Sequence, residues 1–322
     1  MNSIELLTAN LLQNQQKLDE IDYWLKVMNR PQGWHYDMDI IWLLKGLKED
    51  GIKPGSTILD AGAGLGITQF LLAAQGFNVI SLDFTPRNYP LLARGIFQID
   101  VDGQDNIDYE HNYMKFIKYG QDQPGNNLMS APSLPIKIWR ALQKRPRYLF
   151  GRLMSHYYQK ENLQLNKIEQ KKNHSGFGTI KFLRAAFHKI PIEDGAVDAL
   201  VSVSAIEHAD HKLLSENINE MKRVVKLGNT LRITTSATAK SYDWFHDKTN
   251  GWCFSKKTLK RMAGIDTETF FNYNAVEKNI VESSLWRSRV DSYYANDKES
   301  DFYRRKIQNL PYLPVGIKII NE

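Results

Sequence analysis

The sequence predicts an α/β fold, a mostly parallel β-sheet with helices on both of its faces. Short apolar runs typical of buried strands alternate with segments of helical periodicity over residues 51–87 and again from residue 178 onwards. The connections between these segments are short, which favours parallel strands joined by crossover helices. The chain has 322 residues, of which 42% are hydrophobic, enough for one large domain with additions.

The composition excludes several classes of protein. No apolar run reaches the roughly 18 residues of a membrane-spanning helix. The first 20 residues lack the basic and apolar regions of a signal peptide, so a cytoplasmic location is expected. Cys253 is the single cysteine, which excludes an internal disulfide and a cysteine-based zinc site. The histidines show no metal-ligand spacing, and no metal is expected.

The elements follow in order along the chain. Residues 1–50 are predicted to form a helical N-terminal segment, because apolar residues recur there at near-helical spacing. The main domain is predicted to comprise residues 51–87 and 178–322. Its predicted strands lie at 57–59, 78–82, 179–183, 197–204, 230–235, about 269–276 and 312–320. Its predicted helices lie at 67–75, 212–226 and 256–262.

Residues 88–177 are predicted to form an inserted cap or lid. Regular alternation stops for about 95 residues after Asp83, too long for a plain loop in a compact domain. The net charge of +6 is concentrated here, since residues 87–178 hold 14 Lys and Arg against 8 Asp and Glu. Three interpretations stay open: a lid that selects an anionic acceptor, a peripheral contact with an anionic membrane, or a solvated face and oligomer contact, such as a homodimer interface.

A glycine-rich loop between a predicted strand and helix carries the strongest ligand signal. Its spacing is Asp-x-Gly-x-Gly-x-Gly, which differs from the dinucleotide pattern Gly-x-Gly-x-x-Gly. An acid at the strand tip suits a ligand with an ammonium group, and Asp83, at the end of the next strand, can accept both hydroxyls of a ribose. The two features predict S-adenosylmethionine as the cofactor. The loop residues concerned are Asp60, Gly62, Gly64 and Gly66.

These motifs resemble the class I S-adenosylmethionine-dependent methyltransferases, within them the type 11 group. The similar segments are ILDAGAGLG, VISLD, KIPIEDGAVDALVSVSAIEHADH and EMKRVVKLGNTLRIT, which fall within residues 50–85 and 178–265. The resemblance implies a Rossmann-like sheet of seven strands, the last antiparallel, with the cofactor at the carboxyl edge. It implies that the three loop glycines line the cofactor, that Asp60 lies near the methionine amine and that Asp83 holds the ribose, with Phe84 beside the adenine.

The sequence departs from the family at the adenine contact. The acid that the family often has near position 186 is absent, so the backbone or His188 is expected to take its place, and Phe187 is a further candidate cofactor contact. The segment Trp34-His35-Tyr36 either folds over the cofactor or forms a plain turn between helices.

The candidate catalytic residues follow two of the predicted strands. Glu207 and His208 come just after the strand that ends at Ser204, itself a candidate cofactor contact. An imidazole with its ordinary pKa of about 6.5 can deprotonate a hydroxyl, so His208 is a candidate general base. The alternative is that the Glu-His pair caps the next helix. His246 is predicted to border the acceptor pocket, with aromatic packing of a surface loop as the alternative.

The function that the sequence favours is O-methylation of a small-molecule or glycan-type acceptor. Nucleic acid is disfavoured as the acceptor, because Ser204-Ala205-Ile206-Glu207 stands where amino-directed nucleic-acid methyltransferases carry an acid/Asn-Pro-Pro-aromatic motif. Two alternatives stay open: a non-catalytic cofactor-binding or regulatory protein, and a nicotinamide-dependent oxidoreductase, which the glycine spacing disfavours.

Overall fold

The computed structural model describes residues 1–28, 30, 32–84, 91–100, 174–266, 271–290, 302, 307 and 309–322. Most of the predicted insert, including its basic stretch, lies outside these residues. No helix within the described ranges is long and apolar enough to cross a membrane.

Eight strands form one sheet in the order β1-β10-β7-β6-β2-β3-β5-β4. All neighbouring pairs are parallel except those of β10, which runs antiparallel to both β1 and β7. The sheet strands are β1 (Ser3–Leu6), β2 (Thr57–Ala61), β3 (Asn78–Asp83), β4 (Gln98–Asp100), β5 (Thr179–Arg184), β6 (Val197–Val203), β7 (Val225–Ala237) and β10 (Leu313–Ile320). The remaining two, β8 (Trp244–His246) and β9 (Gly251–Cys253), form a separate hairpin. The predicted α/β fold is confirmed.

Helices cover both faces of this sheet. They are α1 (Gln15–Met28), α2 (Tyr36–Glu49), α3 (Thr68–Ala74), α4 (Leu91–Ile96), α5 (Leu214–Val224), α6 (Lys256–Ala263), α7 (Tyr273–Glu282) and α8 (Ser284–Arg289). Successive residues of a strand point to opposite faces, so Ile58 joins the core under α1, α2 and α3, whereas Leu59 joins the core under α5 and α6.

The two edges of the sheet correct the sequence prediction. Residues Ser3–Leu6 were expected to be helical, but they form a strand that pairs with β10, so the sheet has one strand more than the resemblance implied. Ile4 is buried while Ser3 and Glu5 are exposed, an alternation too short to be distinguished from a helix in the sequence. At the other edge, residues 98–100 pair with β5, so this part of the predicted insert extends the sheet.

The C-terminal part contains one further correction. A strand was expected at about 269–276, but helix α7 begins at Tyr273, where the side chain of Asn272 accepts a hydrogen bond from the backbone nitrogen of Ala275 at 3.0 Å. This N-cap favours a helix over a strand. The strand expected at 312–320 is present as β10.

Candidate active site

A cavity of about 480 Å³ lies at the carboxyl ends of β2, β3, β5 and β6. The chain passes from β2 to β3 on one side of β2 and returns to β6 on its other side, so the strand order reverses at this point. Open α/β sheets bind ligands at such a reversal, and this volume is typical of a small-molecule site.

The glycine-rich loop forms one wall of the cavity and folds back against the neighbouring strand. Gly62 and Gly64 have φ of 77° and 48°, values that favour glycine. A Cβ atom on Gly62 would overlap the methyl group of Ala205 and lie 2.8 Å from Cζ of Phe187. The backbone nitrogen of Gly64 donates a hydrogen bond to Oδ2 of Asp83 at 2.8 Å. The loop therefore needs glycine both for its conformation and for close packing.

The structure brings all nine predicted cofactor residues together around this cavity. They come from four separate segments of the chain and line it jointly: Asp60, Gly62, Gly64, Gly66, Asp83, Phe84, Phe187, His188 and Ser204. Their contacts with a cofactor stay a prediction.

The charged residues of the described cavity wall are acidic. Asp60, Asp83 and Asp210 line it, and within the described ranges no Lys or Arg does. Asp60 and Asp83 are both buried at the ends of their strands. The described wall therefore favours a ligand that carries positive charge.

His208 lies at the cavity with its ring orientation fixed. Its Nδ1 is 2.8 Å from the backbone carbonyl oxygen of Asn250, in the turn of the β8–β9 hairpin. A carbonyl oxygen only accepts, so Nδ1 carries a proton, and within the described residues Nε2 makes no hydrogen bond. Gly251 permits this approach, because a Cβ there would lie 3.2 Å from Cε1 of His208.

Glu207 does not line the described cavity wall, and its catalytic role stays a prediction. Its side chain is 3% exposed, with Oε1 accepting a hydrogen bond from Oγ of Ser204 and Oε2 accepting one from Oγ1 of Thr235 at 2.8 Å. Residues 206–208 form a 3₁₀ turn, in which successive side chains point about 120° apart. Glu207 therefore points into the protein while His208 points to the cavity.

His246 is also absent from the described cavity wall, and its place beside the acceptor stays a prediction. It is buried on β8, where Nδ1 lies 2.8 Å from Oγ1 of Thr249 and the ring packs against Trp244 and Tyr312.

Only the last residue of Trp34-His35-Tyr36 lines the cavity. The ring of Trp34 is buried against Trp286, and Nδ1 of His35 lies 2.7 Å from Oδ2 of Asp39 in the core. Complete burial raises the pKa of Asp39, while the neighbouring His35 acts against that rise.

Sequence reasoning missed several residues of the cavity wall, among them Gln32, Ile40, Asn217 and Asn250. Asn217 is buried on the apolar face of α5, so a polar residue at an apolar position was the available signal. Asn250 has a φ of 52°, rare for a residue other than glycine, but backbone conformation is not visible in the sequence.

Comparisons with known proteins agree with this architecture. Residues 146–233 match the family model described as a methyltransferase domain. The matched range begins in the insert, includes β5 and β6 and ends in β7, so the glycine-rich loop precedes it. No curated protein sequence matches the chain.

Solved structures are similar to the chain at low sequence identity and low TM-score. A protein from Galdieria sulphuraria assigned as a sarcosine dimethylglycine methyltransferase is 14% identical, with 88% of this chain and 85% of that chain covered and a TM-score of 0.42. Phosphoethanolamine N-methyltransferase 2 from Haemonchus contortus, in complex with S-adenosyl-L-methionine, is 13% identical, with 97% and 59% covered and a TM-score of 0.45. At these TM-scores the similarity adds no argument about function.

The strand order, the glycine-rich loop at the carboxyl edge of the sheet and the matched methyltransferase domain agree with the resemblance to class I S-adenosylmethionine-dependent methyltransferases. The match spans residues 146–233, less than half of the chain.

Proposed function

We propose that the protein transfers a methyl group from S-adenosylmethionine to a hydroxyl of a small-molecule or glycan-type acceptor. The observation that supports O-methylation is the orientation of His208, whose Nδ1 donates to the carbonyl of Asn250 while, among the described residues, Nε2 makes no hydrogen bond. A hydroxyl nucleophile must lose its proton during methyl transfer, so a general base at the cavity suits this acceptor.

The residues present fit the cofactor. S-adenosylmethionine carries positive charge on its sulfur and its ammonium group, and the described wall holds three carboxylates without a Lys or Arg. Asp60 would hold the ammonium group and Asp83 the ribose hydroxyls, while Phe84 and Phe187 would flank the adenine. A Cβ on Gly64 would meet no atom nearer than 3.8 Å, so this glycine leaves open space for a ligand to approach the backbone.

In the proposed mechanism, the chain binds and orients the two substrates and moves one proton. Bound S-adenosylmethionine supplies a methyl group on a positively charged sulfur, which needs only an aligned nucleophile. The strand ends and the glycine-rich loop would hold S-adenosylmethionine in place. Alignment of the two reactants by rigid elements supplies much of the rate enhancement. Nε2 of His208 takes the hydroxyl proton, and Nδ1 keeps its hydrogen bond to Asn250 while the ring becomes positively charged.

Isothermal titration with S-adenosylhomocysteine, with NADH in parallel, tests the cofactor. We expect micromolar binding of S-adenosylhomocysteine and none of NADH. Binding of NADH alone would support the oxidoreductase alternative and overturn the proposal.

A screen of hydroxyl acceptors with labelled methyl donor tests the reaction. His208→Gln should keep the affinity for S-adenosylhomocysteine and lose about 100-fold in turnover near pH 7, within the usual range for a general base. His174→Gln is the matched control, since His174 does not line the cavity. Equal turnover in the two variants would exclude His208 as the base. Cofactor binding without turnover of any acceptor would favour the regulatory alternative.

A further inference from the structure

The residue that ends β6 adopts a backbone conformation rare for its type. Ser204 has a φ of 46°, and Asn250 is the one other non-glycine residue in the described ranges with a positive φ. Side chains other than glycine's disfavour this conformation because Cβ crowds the following carbonyl oxygen. Ser204 also lines the cavity, and the chain leaves it directly into the 3₁₀ turn that carries His208.

Hydrogen bonds from two directions hold Ser204 in that conformation. Its backbone nitrogen donates to the carbonyl oxygen of Thr234 at 3.1 Å. Its Oγ donates to Oε1 of Glu207, whose Oε2 accepts from Oγ1 of Thr235 at 2.8 Å. The carboxylate of Glu207 therefore links the end of β6, the 3₁₀ turn and β7.

Stability alone is a poor explanation for this buried acid. Glu207 is 3% exposed, and within the described part of the chain no Lys or Arg forms an ion pair with it. A carboxylate buried without a cation has an unfavourable desolvation free energy, and an apolar residue of similar size would fill the same space without that penalty. The two hydrogen bonds of Glu207 instead join Ser204, at the end of β6, to Thr235 of β7.

We propose that Glu207 is a positioning residue of the cofactor site. It holds Ser204 in the left-handed conformation, which directs the following turn so that Ala205 and His208 face the cavity. This inference rests on the proposed function only in naming the ligand of the site. The conformational role itself concerns the protein without a ligand.

The test uses the fact that glycine adopts a positive φ without help. We compare Glu207→Ala in the natural sequence and in a Ser204→Gly background. In the natural sequence we expect the substitution to weaken S-adenosylhomocysteine binding about tenfold, a difference of about 1.4 kcal/mol. In the Ser204→Gly background the same substitution should weaken it less than about twofold, because the conformation no longer depends on the carboxylate.

An imidazole resonance gives a second readout that needs no ligand. In a histidine-labelled NMR spectrum, the His208 signal, assigned by its absence in His208→Gln, should shift in Glu207→Ala and return towards its natural position when Ser204→Gly is added. Asp50→Asn is the matched control, since Asp50 is a buried carboxylate that does not line the cavity. It should lower stability and leave both readouts unchanged.

Each outcome decides the proposal. Equal effects of Glu207→Ala in the two backgrounds would make Glu207 a merely structural residue and overturn it. If Glu207→Ala does not fold, Glu207→Gln is compared in the same two backgrounds, since its amide oxygen still accepts one of the two hydrogen bonds. If the unaltered protein binds no S-adenosylhomocysteine, the proposed function fails, and the NMR comparison still decides the role of Glu207.

Discussion

Gly62→Ala tests whether the glycine-rich loop depends on close packing or only on backbone conformation. Gly51 is a matched control, because its φ of 75° is nearly that of Gly62, at 77°, and a Cβ there would meet no atom within 4 Å. Both substitutions place alanine in the left-handed region, which costs about 1–2 kcal/mol. Only in Gly62→Ala does the new Cβ atom also overlap Ala205 and Phe187, which must move away from it. Overpacking of this kind adds about 1–3 kcal/mol to the loss of stability.

We therefore expect Gly51→Ala to lower the free energy of unfolding by about 1–2 kcal/mol and Gly62→Ala to lower it by about 2–5 kcal/mol. Guanidinium unfolding measures both values. Calorimetry should also show at least a tenfold loss of S-adenosylhomocysteine affinity in Gly62→Ala alone, because Ala205 and Phe187 line the cavity. Equal stability losses with unchanged affinity in both variants would refute the packing argument.

Three further predictions concern other carboxylates and the thiol. Asp83→Asn should weaken S-adenosylhomocysteine binding about tenfold or more in calorimetry, since an amide nitrogen cannot accept a ribose hydroxyl; unchanged affinity would refute the ribose assignment. Burial raises the pKa of Cys253 to about 12, so a thiol reagent at pH 8 should label it only after unfolding; rapid labelling of the native protein would contradict this. Burial acts to raise the pKa of Asp50, but hydrogen bonds from Arg232 and Lys318 outweigh it and lower the pKa. The stabilisation is present above the unfolded-state pKa of about 4 and is lost as the pH falls through the lower native pKa. Asp50→Asn should therefore reduce the fall in the free energy of unfolding at acid pH, measured by urea unfolding. An unchanged fall at acid pH would exclude this role.

The central strands of the fold could be predicted because each is an apolar run bounded by turn residues. Strand β2 illustrates this, since it follows the turn at Lys53-Pro54-Gly55-Ser56 and ends in the glycine-rich loop. The edge strand Ser3–Leu6 could not be predicted, because four residues carry too little periodicity to distinguish a strand from a helix. Its partner is β10, at the far end of the sequence, and long-range pairing decides its conformation.

The cofactor wall was more predictable than the catalytic residues. Asp60 and Asp83 each end a strand of a parallel sheet, so topology alone places them at one edge. Glu207 and His208 are adjacent in the sequence, yet the 3₁₀ turn points their side chains about 120° apart, so that only His208 lines the cavity. The carbonyl oxygen of Asn250 orients the His208 ring only because the β8–β9 hairpin folds back onto that turn. No local sequence pattern reveals this contact.

The pairing of β10 with β1 has a consequence for the order in which the sheet assembles. Ser3 pairs with Lys318, so β1 is made before the other strands of this sheet and has no partner until β10 has also been made. Until then β7 is left with an open edge, because β10 also covers its outer side. Exposed strand edges favour intermolecular pairing, and contacts of such long sequence separation form slowly. Because β10 follows the other described strands of this sheet in the chain, truncation before Leu313 should favour aggregation over folding.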